Sequence, residues 1–310
     1  MVGGCDHGYL GRYEIISASR RTDIPAFYSR WFMKSIKRGY FCFINPFNRK
    51  QVQKISLRPE DVKVIVFWTR NPSPLIPHLD ELDRAGYRYY FHYTVLNYPR
   101  SLDRFVPSLE RTVEVFRRLS DRIGKERIIL RYDPIILTDE MDAEFHMKNF
   151  EKIITKLGDY AGRVVISFLD LYRKTKKNLG KAGVKLVEKF DLNDPSMSKM
   201  METIVDVSKS KNLEIVSCAT ETNLEVFGIK RGKCIDDELI WRLFKIKVNS
   251  KKDENQRKFC GCVKSKDVGM YDTCLHGCVY CYAVSSHERA LRNYRKHDPN
   301  SPFLLNPEFT

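Results

Sequence analysis

A chain of 310 residues, 43% of them hydrophobic, has ample apolar material for a buried core and none of the depletion that marks disorder. Its 54 lysines and arginines exceed its 39 acidic residues, a formal charge of +15 that would concentrate polyanions; a nucleic-acid substrate and a lysine-rich solvated surface both account for it. No apolar core region stands in Met1 to Arg12 and no apolar run nears membrane-spanning length, so a reducing, cytoplasmic setting is expected, and nine cysteines, five of them between Cys260 and Cys281, point to metal ligation rather than a disulfide framework.

Arg12 to Ser19 is a short apolar run with a β-branched centre, followed by the polar Arg20-Arg21-Thr22-Asp23-Ile24-Pro25 and a helical pattern with Phe27, Trp31, Met33 and Ile36 inward. The unit recurs. Val62 to Trp68 runs into Thr69-Arg70-Asn71-Pro72 and a Leu75, Leu79, Leu82 stripe, and Tyr87 to Leu96 precedes a helix from Leu102 to Leu119. Arg127 to Tyr132 leads through Asp133-Pro134 to a helix from Met141 to Leu157. Val164 to Leu169 precedes a lysine-rich excursion, Tyr172 to Lys189, then a helix through Met197, Met201 and Val205, and Leu213 to Ser217 is the sixth strand. Six strands alternating with helices predict an α/β protein with a parallel sheet and right-handed crossovers, either an open doubly wound sheet or a partial barrel.

In such architectures the ligand lies at the carboxyl ends of the strands. Here those ends carry Ser19, Arg20, Thr22 and Asp23 after the first strand, and Arg131 and Asp133 after the fourth. Taken singly, each is a cap or turn residue. Together, arginines beside apolar strands need anionic partners, and a carboxylate would serve.

The remaining signal is in the thiols. Cys218, Cys234, Cys260 and Cys262 make one full ligand set for a 4Fe-4S cluster or a structural zinc, the bland reading being unligated buried cysteines. Cys5 and Cys42 read as unpaired and structural. Near the end, Cys274, Cys278 and Cys281 stand at the spacing C-x3-C-x2-C, with Tyr280 before the third. Three thiolates on one loop leave one iron of a 4Fe-4S cluster without a protein ligand, whereas zinc knuckles usually arrive as matched pairs; zinc remains the alternative. Ser285 to Tyr294 then reads as a charged helix.

The cysteine loop resembles that of radical SAM proteins. The whole chain is identified as a member of the family named domain of unknown function 1848, on Ile16-Ser17-Ala18-Ser19-Arg20-Arg21-Thr22-Asp23-Ile24-Pro25, Asn45-Pro46-Phe47-Asn48, Val66-Phe67-Trp68-Thr69-Arg70-Asn71-Pro72, Arg131-Tyr132-Asp133-Pro134-Ile135 and Cys260-Gly261-Cys262. His276-Gly277-Cys278 to Tyr282-Ala283 is also similar to loops in relatives of spore photoproduct lyase. The radical SAM resemblance implies that the open iron chelates S-adenosylmethionine and that the reduced cluster cleaves it to a 5'-deoxyadenosyl radical, with a ferredoxin or flavodoxin as reductant and Tyr280 against the adenine. It implies a six-stranded partial (β/α)6 TIM-like barrel in circularly permuted order, with a C-terminal cysteine-rich segment. Residues 1–219 would form the main part, 220–270 an inserted auxiliary-cluster segment and 271–310 the cluster loop and closing helix. Leu213 to Ser217 would be the usual first strand, and Ser19, Arg20, Thr22 and Asp23 would contact the amino group of S-adenosylmethionine. The rival functions are a zinc-stabilised nucleic-acid-binding protein and an iron-sulfur electron-transfer protein.

Overall fold

Val64-Ile65-Val66-Phe67 is apolar at every position, and a parallel strand covered on both faces requires this. In the computed structural model, which describes residues 10–45, 48–187 and 191–306, such runs build an eight-stranded sheet. Cys5, Pro46 and Phe47, the end of the lysine-rich excursion and the last residues of the tail lie outside the described residues.

The strands in chain order are β1 Leu10–Gly11, β2 Ile15–Ala18, β3 Tyr40–Asn45, β4 Asn48–Ser56, β5 Val64–Thr69, β6 Tyr89–Thr94, β7 Ile128–Ile135, β8 Arg163–Phe168, β9 Glu214–Cys218, β10 Lys230–Gly232 and β11 Lys266–Asp267. The helices are α1 Ile24–Phe27, α2 Ser29–Arg38, α3 Leu79–Arg84, α4 Leu109–Ile123, α5 Ala143–Leu157, α6 Arg173–Lys181, α7 Pro195–Ser210, α8 Asp237–Phe244 and α9 His287–Arg295. The large sheet runs β10-β9-β8-β7-β6-β5-β2-β11, every pairing parallel. All six expected strands are present and sit side by side in chain order, without the reversal that defines a doubly wound sheet. Two short strands, β10 and β11, extend the sheet at its edges beyond the expected six.

Period-two alternation sorts the strand residues onto two faces. Ile16, Ile65, Phe67, Phe91, Leu130 and Ile166 join the helices in the main core, where Phe67 stacks on Phe91 at 4.8 Å and meets Phe32 edge-on. Ile15, Val64, Val66, Tyr90, Ile129 and Val165 face the other way and are covered by the segment after β9, including Ile235, Leu239 and Ile240 of the α8 region. Cys218, Cys234, Cys260 and Cys262 lie in this second cluster.

Several local expectations are corrected. The helix expected from Leu102 begins at Leu109, because the Ser108 hydroxyl accepts from the Arg111 amide and caps it; Leu102 to Pro107 is left as a loop. Tyr40 to Ser56, unassigned from the sequence, forms the antiparallel pair β3–β4 in a small three-stranded sheet with β1. Cys42, expected to be unpaired, is disulfide-bonded; spacing along the chain does not reveal which thiols the fold brings within bonding distance. The strand that feeds the cysteine loop is not Leu213 to Ser217, which pairs with β8 and β10, but β11, which pairs with β2 at the opposite edge. A two-residue strand is too short to show any period in the sequence. No helix among the described residues is long and apolar enough to cross a membrane.

Candidate functional site

A cavity of about 810 Å³ opens at the carboxyl ends of the parallel strands. Ser19, Arg20, Thr22 and Asp23 from the end of β2 line it, as do Arg131 and Asp133 of β7. Both cysteine sets line the same cavity, with Cys274, Cys278, Tyr280 and Cys281 on one wall and Cys218, Cys234, Cys260 and Cys262 on another. The site residues expected from sequence are therefore brought together.

The cysteine loop is clamped at every turn. The Asp272 amide donates to the Ala283 carbonyl at 2.9 Å and closes its base, Tyr28 donates to the Thr273 carbonyl at 2.8 Å, and the Val279 amide donates to the Leu102 carbonyl at 2.9 Å. Gly277 adopts φ +66°, and a Cβ there would stand 2.6 Å from the Phe105 ring, so only glycine meets both demands. Burial raises the thiols of Cys274 and Cys278 to about 12 and that of Cys281 to about 11.

Behind the loop lies an ion pair that the sequence did not announce. Both Arg70 terminal nitrogens lie 2.6 Å from the Asp103 carboxylate, and Nη1 also reaches Tyr280 Oη at 2.7 Å and Cys278 Sγ at 3.1 Å. Tyr280 in turn donates to Asp103 at 2.7 Å. Burial disfavours the Arg70 charge, but Asp103 and its neighbours outweigh this and hold the guanidinium firmly protonated. The Tyr280 hydroxyl is thus engaged within the wall, and only its ring is available to a ligand.

The loop after β2 chiefly holds the cysteine loop. Asp267 of β11 accepts from Ser17, from Ser19 at 2.6 Å and from the Arg20 amide at 2.9 Å, and a Cβ on Gly269 would stand 2.0 Å from Ser19 Oγ, so the two segments are in direct apposition. Thr22 Oγ1 lies 2.6 Å from Thr273 Oγ1. Asp23 accepts from the Ala26 amide, from the Arg70 amide and from His276 Nε2 at 2.7 Å. Ser19, Thr22 and Asp23 thus hold the segment that carries the cysteine loop while also lining the cavity, and Arg20 keeps a buried Nη2 with no protein partner and lies with its Cζ 5.1 Å from the Trp68 ring centroid. Asp103, Asp267 and His276 are the functional neighbours that sequence reasoning missed. Asp103 falls at the beginning of the stretch expected to be helical from Leu102, and Asp267 sits in a strand with no visible period.

The four-cysteine set is buried and cationic at its edge. Cys234 Sγ lies 3.1 Å from Cys218 Sγ and accepts from Arg131 Nη1 at 2.9 Å, while the Ile235 amide donates to Cys262 Sγ at 3.3 Å. Arg131 also pairs with Asp133, which Ser167 bonds in turn. The hydrogen bond from Cys234, helped by Arg131, lowers the Cys218 thiol against the opposing effect of burial, and bonds from Cys234 and Cys260 hold Cys262 below the ordinary thiol range. Cys234 and Cys260, as the donors, are raised. Among the described residues no three histidine, cysteine, aspartate or glutamate side chains are set round a single ion. Thiolates that bind the separate irons of a cluster need not converge on one point.

No curated protein matches the chain. Compared with protein families, residues 15–283 match the one described as domain of unknown function (DUF1848). The chain that folds into this thiol-lined, parallel-sheet architecture belongs to that family.

Proposed function

We propose that the protein is a radical SAM enzyme whose site cluster is held by Cys274, Cys278 and Cys281. The observation that carries this is the opening of three thiols of one rigid loop onto a cavity of about 810 Å³ at the strand ends, with four further thiols grouped separately. A 4Fe-4S cluster held by Cys274, Cys278 and Cys281 and reduced by a ferredoxin or flavodoxin would supply the electron that splits S-adenosylmethionine into methionine and a 5'-deoxyadenosyl radical, which would take hydrogen from the substrate.

The chain's own residues do the rest. Cys274, Cys278 and Cys281 lose protons on ligation, which their raised affinities make dependent on the metal. Arg70 donates to Cys278 Sγ, a bond of the kind that raises cluster potential. Arg20, with its unpartnered Nη2, suits a carboxylate better than an amino group, and its charge acts first on Cys262 of the four-cysteine set. The Tyr280 ring is left for the adenine. Six neighbouring strands of the sheet, β11-β2-β5-β6-β7-β8, then read as a partial (β/α)6 TIM-like barrel in permuted order, with β11 as the first strand, α9 as the first helix and β2 as the second strand, and with β9 and β10 beyond the sixth. Within the segment 220–270, Cys234 to Val263 covers the face opposite the main core and, with Cys218, would hold a second centre; a second 4Fe-4S cluster is favoured, and the 3.1 Å contact of Cys218 with Cys234 keeps zinc as the other reading there.

Anaerobic reconstitution with iron and sulfide, then reduction in the presence of S-adenosylmethionine, tests the proposal. It expects sulfur-to-iron charge-transfer absorbance and 5'-deoxyadenosine, the latter abolished in Cys278→Ala while metal persists at the four-cysteine set. A zinc-only protein, or a reduced cluster that yields no 5'-deoxyadenosine, would sink the reading in favour of nucleic-acid binding or electron transfer.

A further inference from the structure

The mouth of the cavity differs from its interior in a way that identifies a class of substrate. Inside, Arg70 pairs with Asp103 and Arg131 with Asp133, while the buried Arg20 keeps its free Nη2, and Arg257 pairs with Asp170. The three remaining cations that line the cavity are not held in this way. Arg21 has only Asp267 at 3.9 Å, and among the described residues Arg173 and Lys174 at the start of α6 have no ion pair. Arg21 Cζ and Lys174 Nζ lie 5.3 and 4.8 Å from the centroid of the Tyr271 ring. Beside them, Tyr172 and Tyr282 are 42% and 39% exposed with ring centroids 5.6 Å apart. The Tyr282 hydroxyl donates to the Arg20 carbonyl at 2.9 Å and holds its ring in place.

Aromatic faces interleaved with unpaired cations are the means by which proteins bind single strands, the cations tracking phosphates while bases stack. An acidic peptide would use the cations and leave the exposed Tyr172 and Tyr282 rings without purpose. A cavity of about 810 Å³ cannot take a base-paired stack, so a reacting nucleoside must stand out of its pairing, as in enzymes that act on a base removed from its stack, and an unpaired strand offers one at the lowest cost. The formal charge of +15 draws a polyanion from a distance.

We propose that the substrate is a single-stranded nucleic acid, with one nucleoside entering the cavity, its neighbouring phosphates on Arg21, Arg173 and Lys174, and a flanking base on Tyr172 and Tyr282. This rests on the cavity being the reaction chamber proposed above. The binding assay needs no turnover, however, so its failure leaves 5'-deoxyadenosine formation standing, and the reverse.

Fluorescence anisotropy of a labelled single strand of ~10 nucleotides on the full-length protein is the test. Arg173→Ala/Lys174→Ala is expected to weaken binding and to lower the slope of log affinity against log salt by about 1.4, for two lost single-strand phosphate contacts. Tyr172→Ala should cost about tenfold, with Tyr172→Phe binding as the native protein does, because stacking needs the ring and not the hydroxyl. Circular dichroism of each variant should be unchanged. An unaltered salt slope in the double variant overturns the proposal. So does equal competition by the matching duplex, by polyglutamate or by the free mononucleotide.

Discussion

Asp103 is the residue on which the back wall of the cysteine loop turns. Its carboxylate holds both Arg70 nitrogens and the Tyr280 hydroxyl, with side chains of Arg70 and Asp103 only 10% and 4% exposed. Removing one partner of a buried pair leaves the other charge unpaired in low dielectric, which costs ~3–5 kcal/mol. Asp103→Ala is therefore expected to lose about that much stability in urea unfolding of the metal-free protein, and to load less iron because Arg70 no longer anchors the loop at Cys278. A loss under ~1 kcal/mol would mean the pair is not formed. Neither partner was legible in the sequence as a pair, since Arg70 follows one strand and Asp103 lies in a loop after the next, and only the parallel order of β5 and β6 sets them side by side.

The elements divide into those whose pattern is long enough to read and those whose pattern is not. β5 to β9 were legible because runs of branched and aromatic residues recur between helical stripes, and the core repays that regularity. Phe67 of β5 is fully buried between Phe32 and Phe91. Phe67→Ala should destabilise by ~3–5 kcal/mol in the same urea experiment, the lost transfer energy adding to the cavity left behind. β11 shows the opposite case. Its two residues carry no period, yet its pairing with β2 and the bonds of Asp267 to Ser17 and Ser19 place the cysteine loop over the strand ends.

At the scale of the molecule, acid stability follows from histidines sealed into the fold. His146 receives a hydrogen bond at Nδ1 from Tyr132 and donates from Nε2 to the Ile136 carbonyl, so it is held neutral, and burial pushes it down to about 4 from the ordinary 6.5. His92 is lowered in the same direction, first by burial and then by Arg131. Between these values the unfolded chain takes a proton that the folded chain refuses. The contribution is complete above pH 6.5 and is lost as pH falls toward 4, at most about 3 kcal/mol for His146. The urea midpoint should fall over that window in the native protein, and His146→Gln should flatten the fall; an equal slope in both would refute the assignment. The sequence by itself determined the parallel α/β class, the six main strands in order and the strand-end and thiol residues of the cavity, because hydrophobic period and turn chemistry are local properties. Tertiary structure alone decided that two cysteine sets share one cavity, that β11 rather than β9 delivers the loop, and that Ser19, Thr22 and Asp23 clasp that loop. Those facts depend on contacts between residues about 250 positions apart, which no local pattern encodes.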